Sequence, residues 1–214
     1  MTAMNKAMSG EMSQTAPDLK GGDGTDTKSI LLVGVGGQGT ILASKILTIG
    51  LMEAGFDVKM SEIHGMSQRG GSVSSHVRYG RKVCSPVIEK GTADMIVAFE
   101  KMEALRYLDY LKEDGILVTN SEEIPSMSVI TGQEAYPNDV LEELAKCCRN
   151  RVVKAAAMAA ELGNPKTANI ILLGTIIKSM GLEEIDWDKI LEGNIKPQFV
   201  EINKKAIKVG MQAV

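Results

Sequence analysis

Gly34, Gly36 and Gly39 stand at G-x-G-x-x-G spacing, where the β-branched and leucine run SILLVGV (29–35) gives way to the helical pattern ILASKILTIGLMEAG. In such a strand–turn–helix the first glycine permits the tight turn, the second lets backbone approach a guest, and the third lets helix pack on strand. Ile41, Leu42, Lys45, Ile46, Ile49 and Met52 fall at helical spacing and are mostly apolar, and Gly55 stops the helix. FDVKMSEI (56–63) then alternates as a strand. A β-α-β unit of this kind needs a crossover, and crossovers build parallel sheets covered on both faces.

The remaining pattern extends that frame. SVSSHVRYGRKVCSP (72–86) places Val73, Ser75, Val77 and Tyr79 on one face and Ser72, Ser74, His76 and Arg78 on the other, with YGRK as a hairpin turn. ADMIVAFE (93–100) predicts a buried strand, MEALRYLDYLKEDG a helix closed by Gly115, ILVTN a strand and SMSVITG an edge strand. NDVLEELAKCCRN predicts a helix opened by Asn138, RVVKAAAM a strand leading into a helix, and the tail from PKTANIILLG onward reads as helical. The expected architecture is an α/β fold, a Rossmann-like doubly wound sheet with a C-terminal helical layer over residues 28–214. Residues 1–27 are polar, aperiodic and rich in Gly, Ser and Thr, and read as a disordered N-terminal extension.

Composition closes off several functions. A formal charge of −3 with no long basic block gives no reason to expect nucleic acid. No apolar run is long enough to span a bilayer and the N-terminus lacks a signal-peptide core, so no membrane association and a cytoplasmic location are expected. The three cysteines, Cys84, Cys147 and Cys148, suit a reducing compartment and fall short of a four-cysteine iron–sulfur cluster. No metal site is expected.

Candidate binding residues gather in two glycine-rich segments. In the first, Gly34, Gly36, Gly37, Gln38 and Gly39 offer backbone N–H groups and a helix N-terminus to an anionic oxygen. The Gln38 amide is placed to reach a phosphate or a neighbouring chain. Glu62 lies near the offset of a ribose-binding acid, which keeps a dinucleotide open as the guest. The second segment, SEIHGMSQRGG (61–71), follows at once and should open into the same crevice. There His64, Ser67, Gln68 and Arg69 supply hydrogen-bond donors, and Gly65, Gly70 and Gly71 let backbone bend around a guest. The plainer alternative is a tight turn beside a solvated surface loop. No orienting acid other than Glu62 accompanies His64, so no catalytic residue is assigned. Ser74 and His76 read as a solvated edge face, Cys84 as a packed thiol, and Met60, Met66, Met95 and Met102 as core or interface filler. Asn164 and Pro165 form a helix-capping signal. Asn169 lies inside the following helix, where its amide is free to bond the glycine loop or a partner chain, and Asn203 is similar.

LLVGVGGQGTILASKIL followed by SEIHGMSQRGGSVSSHVRYG resembles the gamma-type domain of the 2-oxoacid:ferredoxin oxidoreductases. AAELGNPKTANIILLG and FVEINKKAIKVG extend the likeness, which covers 28–214 and is strongest to the beta subunits of indolepyruvate ferredoxin oxidoreductases. The resemblance implies a pyruvate/ketoisovalerate ferredoxin oxidoreductase gamma-type domain that works with a larger alpha subunit. It implies conversion of an aryl 2-oxo acid, CoA and oxidised ferredoxin into an aryl-acetyl-CoA, carbon dioxide and reduced ferredoxin. Thiamine diphosphate and the 4Fe–4S clusters would sit in the alpha subunit, with none held by this chain alone. The guest of the two loops would be the phosphates of CoA, a loop of the alpha subunit, or both. Two other readings stay open on the residues: a free-standing NAD(P)-binding oxidoreductase, and a non-catalytic nucleotide-responsive interaction module.

Overall fold

The computed structural model describes residues 27–64 and 70–214, without the side chains of 127 and 128. The N-terminal extension to residue 26 and the segment 65–69 lie outside the described residues. In chain order the elements are β1 (Lys28–Val35), α1 (Thr40–Glu53), β2 (Asp57–His64), β3 (Ser72–Gly80), β4 (Ala93–Ala98) and α2 (Lys101–Arg106). There follow β5 (Leu111–Asn120), α3 (Met127–Ile130), α4 (Val140–Cys147), β6 (Arg149–Val153), α5 (Ala155–Glu161), α6 (Ala168–Ser179), α7 (Trp187–Asn194) and α8 (Pro197–Gln212).

Six strands form one sheet in the order β2-β3-β1-β4-β5-β6. β1, β4, β5 and β6 are parallel neighbours, as crossovers through helices require. β3 runs antiparallel to both β1 and β2 and lies between them. The sheet is therefore mixed, and β1 and β2 are parallel across a gap of one strand. The cause is local: β3 follows β2 through a short connection, so it must turn back beside it, and it fills the slot the crossover left open. Alternation along the sequence identifies strands but carries no information about this order.

Helices cover both faces, as expected of a doubly wound fold. On one face Ile30, Leu32, Val77, Val97 and Val118 pack under α1 and α5–α8; on the other Leu31, Val33, Ile96 and Leu117 pack under α2 and α4. The C-terminal helical layer is tight. A Cβ built on Gly210 would lie 1.9 Å from the carbonyl oxygen of Ile171, so α6 and α8 touch backbone to backbone.

Five local expectations are corrected. YGRK is not a hairpin turn: both edges of β3 are already paired, so no further strand can join it. The chain after Gly80 instead folds over the sheet face, where Arg78 donates to the carbonyls of Ser85 (3.0 Å) and Val87 (3.2 Å). His76 Nδ1 accepts the Ile88 N–H at 3.1 Å. This cover, and the central position of β3, bury Ser74 and His76, which are not a solvated edge, while Cys84 on the covering segment is exposed rather than packed. The helix expected to run to Gly115 ends at Arg106, and Gly115 lies inside β5 with its absent side chain making room for Leu111. SMSVITG forms no edge strand; its centre is the helical turn α3.

Candidate functional site

β1 and α1 deliver the first glycine segment to the carboxyl edge of the sheet. Gly39 caps α1 with φ +82°, a left-handed conformation that favours glycine, and a Cβ there would meet Asn169 Nδ2 at 2.4 Å. Gly34 is crowded by Phe99 Cβ and Gln38 Oε1, each 2.9 Å from a built Cβ. The opening N–H groups of α1 have no partner within the helix, and α1 carries no acid in its first turn. That end suits a negatively charged group.

Gln38 lines the crevice, but both ends of its amide are engaged within the chain. Its Oε1 accepts the Val35 N–H at 2.8 Å, and its Nε2 donates to the Phe99 carbonyl at 2.8 Å and to Glu122 at 3.3 Å. Asn120 Nδ2 donates to the same two acceptors at 3.0 and 3.2 Å, while its Oδ1 accepts the Ala155 N–H at 3.1 Å. The two amides tie the ends of β1, β4 and β5 to the start of α5. The expected ligand-facing amide is a brace inside the chain.

The two glycine segments interlock. Gly36 N–H donates to the Gly71 carbonyl at 2.8 Å, and Gly70 N–H donates to the Gly36 carbonyl at 3.3 Å. The ladder of β1 and β3 thus continues one step past the strand ends, and the Gly36 N–H is engaged by the chain itself. His64, exposed at the end of β2, joins Gly36, Gly37, Gly39 and Ile41 around a hollow of about 330 Å³. A larger crevice of about 670 Å³ lies over the same loop, bounded also by Glu122, Lys166 and Asn169. Ser67, Gln68 and Arg69 lie outside the described residues.

One crevice residue follows the sequence reading and another was missed by it. Asn169 Nδ2 donates to the Gly39 carbonyl at 3.3 Å, so the mid-helix amide locks α6 onto the glycine turn. Asn203 behaves differently and bonds its own helix, donating to the Phe199 carbonyl at 2.7 Å. Lys166 was hidden in a capping motif: Asn164 Oδ1 accepts its backbone N–H at 3.1 Å, and the 3-10 turn Pro165–Thr167 sets it on the crevice wall. It is the one basic residue among the described residues lining that crevice, and Glu122 is the one acid. Glu62 lies on the edge strand β2, opposite Ser75, with β3 between it and β1. A ribose-binding acid stands on the strand beside the fingerprint strand, so this placement is one interstrand spacing, about 4.8 Å, too far out.

Among the described residues no three or more His, Cys, Asp or Glu side chains form a group able to hold a metal ion, and no helix is long and apolar enough to cross a membrane.

The sequence pattern of the family described as pyruvate ferredoxin/flavodoxin oxidoreductase matches residues 29–213. The indolepyruvate oxidoreductase subunit IorB of Thermococcus kodakarensis is 36% identical over 193 residues, covering 86% of this chain and 95% of that protein. The solved gamma subunit of a keto/oxoacid ferredoxin oxidoreductase from Geobacter sulfurreducens superposes with a TM-score of 0.64 at 22% identity, covering 87% of this chain and 97% of that one. A 2-oxoglutarate:ferredoxin oxidoreductase from Magnetococcus marinus, solved with 2-oxoglutarate, coenzyme A and succinyl-CoA bound, contains the same fold within a longer chain. Its TM-score is 0.69 at 18% identity, covering 89% of this chain and 31% of that one.

Proposed function

Because the chain belongs to the pyruvate ferredoxin/flavodoxin oxidoreductase family, we propose that it is the beta subunit of an indolepyruvate:ferredoxin oxidoreductase, active only with a large alpha subunit. The observation that carries this is the nearly end-to-end similarity to the IorB subunit of Thermococcus kodakarensis. The reaction is oxidative decarboxylation of an aryl 2-oxo acid to an aryl-acetyl-CoA, with electrons passed to ferredoxin. Thiamine diphosphate and the iron–sulfur clusters supply the decarboxylation and electron transfer from the alpha subunit. The three cysteines here are too few for a four-thiolate cluster, and Cys84 lies in a different part of the chain from Cys147 and Cys148.

This chain's own part is to close the CoA side of the site. The first turn of α1 and the ammonium of Lys166 face one crevice and would hold a phosphate, with Arg69 as a further donor. Glu122, which also lines the crevice, disfavours an anion near its own carboxylate and leaves the α1 terminus and Lys166 as the sites for it. In the Magnetococcus marinus enzyme solved with coenzyme A bound, this fold is part of a longer chain, which is consistent with that role. The displaced Glu62 weighs against the NAD(P) reading.

The test is reconstitution. An aryl pyruvate, CoA and a viologen acceptor are assayed with this chain alone, with the alpha subunit alone and with both. Turnover only in the mixture is expected. Robust turnover by this chain alone, or nicotinamide retained by it on purification, would overturn the assignment.

A further inference from the structure

The segment 81–92, between β3 and β4, has no helix or strand of its own. It lies as a strap on the α2 face of the sheet, where the buried Ile88 joins Leu31 and Ile96. Three side chains of the sheet hold it. Arg78 donates to the carbonyls of Ser85 and Val87, and the Asp57 carboxylate on β2 accepts the Val83 N–H at 2.8 Å. The third anchor is His76 Nδ1, which accepts the Ile88 N–H at 3.1 Å in a buried bond. The first two anchors keep their charge near neutral pH. Arginine does not lose its proton in a protein, and Lys59, with the Val83 N–H, holds the Asp57 carboxyl below the usual carboxylate range.

His76 differs from them. A ring nitrogen accepts a backbone N–H only while it carries no proton, so this bond requires the neutral imidazole with its proton on Nε2. A proton added at Nδ1 sets donor against donor and buries a cation. Burial pushes the His76 imidazole below the ordinary histidine range, so the closed strap resists that proton. The acids on the surrounding elements are already engaged with other bases. Asp57 pairs with Lys59 on β2, Asp94 on β4 with Lys28 and Lys112, Asp109 with Lys90, and Glu103 on α2 with Arg106. Glu89 on the strap is exposed to water. Arg78, two positions along the same face of β3, carries like charge. Tyr110 meets the imidazole edge to face with ring centres 6.2 Å apart, and Tyr107 packs on Tyr110.

We propose that His76 is an acid-released clasp: protonation at Nδ1 breaks its bond to the Ile88 N–H and frees the strap 81–92 from the sheet. Release uncovers Val83 and Ile88, both buried while the strap is closed. In the open strap the imidazole meets water and returns to its ordinary value of about 6.5, whereas the closed strap holds it lower. Closure is therefore full above the ordinary value and is lost as pH falls through the closed-state one. Across that window the opening equilibrium rises by up to about tenfold per pH unit, the effect of one proton taken up on opening.

The test is hydrogen exchange of the full chain between about pH 5 and about pH 8, with the protection of 81–92 corrected for the intrinsic exchange rate at each pH. Wild-type protection of the strap is expected to fall as the solution is acidified, while that of β4 holds. His76→Gln keeps an acceptor that takes no proton, so its strap should stay protected at every pH. His76→Phe keeps the bulk without the acceptor, and its strap should be open throughout. Wild-type protection that is flat in pH, or a pH dependence that survives in His76→Gln, overturns the proposal. The wild-type chain gives an independent reading by NMR. It has two histidines, and a His64→Gln spectrum assigns their ring signals. The Ile88 amide signal is expected to shift with the midpoint of the His76 ring, below the ordinary imidazole value. An Ile88 amide that ignores the His76 titration overturns the proposal.

Discussion

The crevice on the α1 side of Val35 and Gly70 is walled by glycine backbone and bracing amides, whereas the cavity on the α2 side of the same residues is walled by carboxylates, a phenol and aliphatic side chains. The first has its shape set by where backbone can pass. It depends on glycine at particular positions and offers N–H groups that carry no titratable charge. The second has its shape set by rotamers and its character by charge, so small isosteric changes alter its chemistry without altering where the chain runs. A backbone-built site fails by misfolding; a site built from side chains fails by losing its guest.

The largest effect belongs to the backbone side. Gly39→Val is expected to destabilise the chain by about 3 kcal/mol or more, from left-handed strain of about 1–2 kcal/mol plus displacement of Asn169. Gly37→Ala separates the two contributions. Gly37 has φ +108° but nothing within 4 Å of a built Cβ, so only the strain remains. Urea midpoints check both; equal losses would show that the Asn169 contact is not what the third glycine serves.

Gln38→Ala comes next. It leaves the Val35 N–H without its acceptor and removes one donor from Phe99 and one from Glu122, while Asn120 still bonds both. A loss of about 1–3 kcal/mol follows from one orphaned buried donor. If instead stability holds and the Michaelis constant for CoA rises, Gln38 faces the ligand in the assembled enzyme and the brace is secondary.

Lys166→Ala should leave the midpoint within about 0.5 kcal/mol, as for an exposed side chain outside the core. In the reconstituted complex it should raise the Michaelis constant for CoA about tenfold, the low end of a charge-assisted phosphate contact. An unchanged constant would remove Lys166 from the phosphate site and leave the helix terminus alone in that role.

The same contrast explains what could be read from the sequence. Strand, glycine turn and helix were legible because Gly34, Gly36 and Gly39 mark backbone requirements, and those leave a residue-type signature. The burial of β4 and the helical tail were legible from apolar runs. Strand order was not, because β3 enters between β1 and β2 through a choice of neighbour that alternation does not encode. Ser74 and His76 misled for a related reason: polar residues on a strand signal solvent until a covering segment buries them. Lys166 was masked by the capping role of its neighbours. Glu100 and Glu103 carried no signal at all, since an acid at a helix N-cap and another in its first turn are the ordinary helix-start pattern.

The smallest effect sharpens the α2 side without any partner present. Burial raises the folded-state Glu103 carboxyl above the ordinary carboxylate range. The folded chain therefore holds that proton more tightly than the unfolded chain does. Between the unfolded and folded values the native state binds more protons, so this residue's contribution to stability is full below the unfolded value and falls as pH rises through the folded one. Glutamine does not titrate. The difference in stability, Glu103→Gln minus wild type, should thus increase with pH across that window and become constant above it. Urea midpoints of the isolated chain from pH 4 to pH 8 give the curve, measured beside a wild-type control. A difference flat in pH would mean that Ser72 and Arg106 already compensate Glu103 in full.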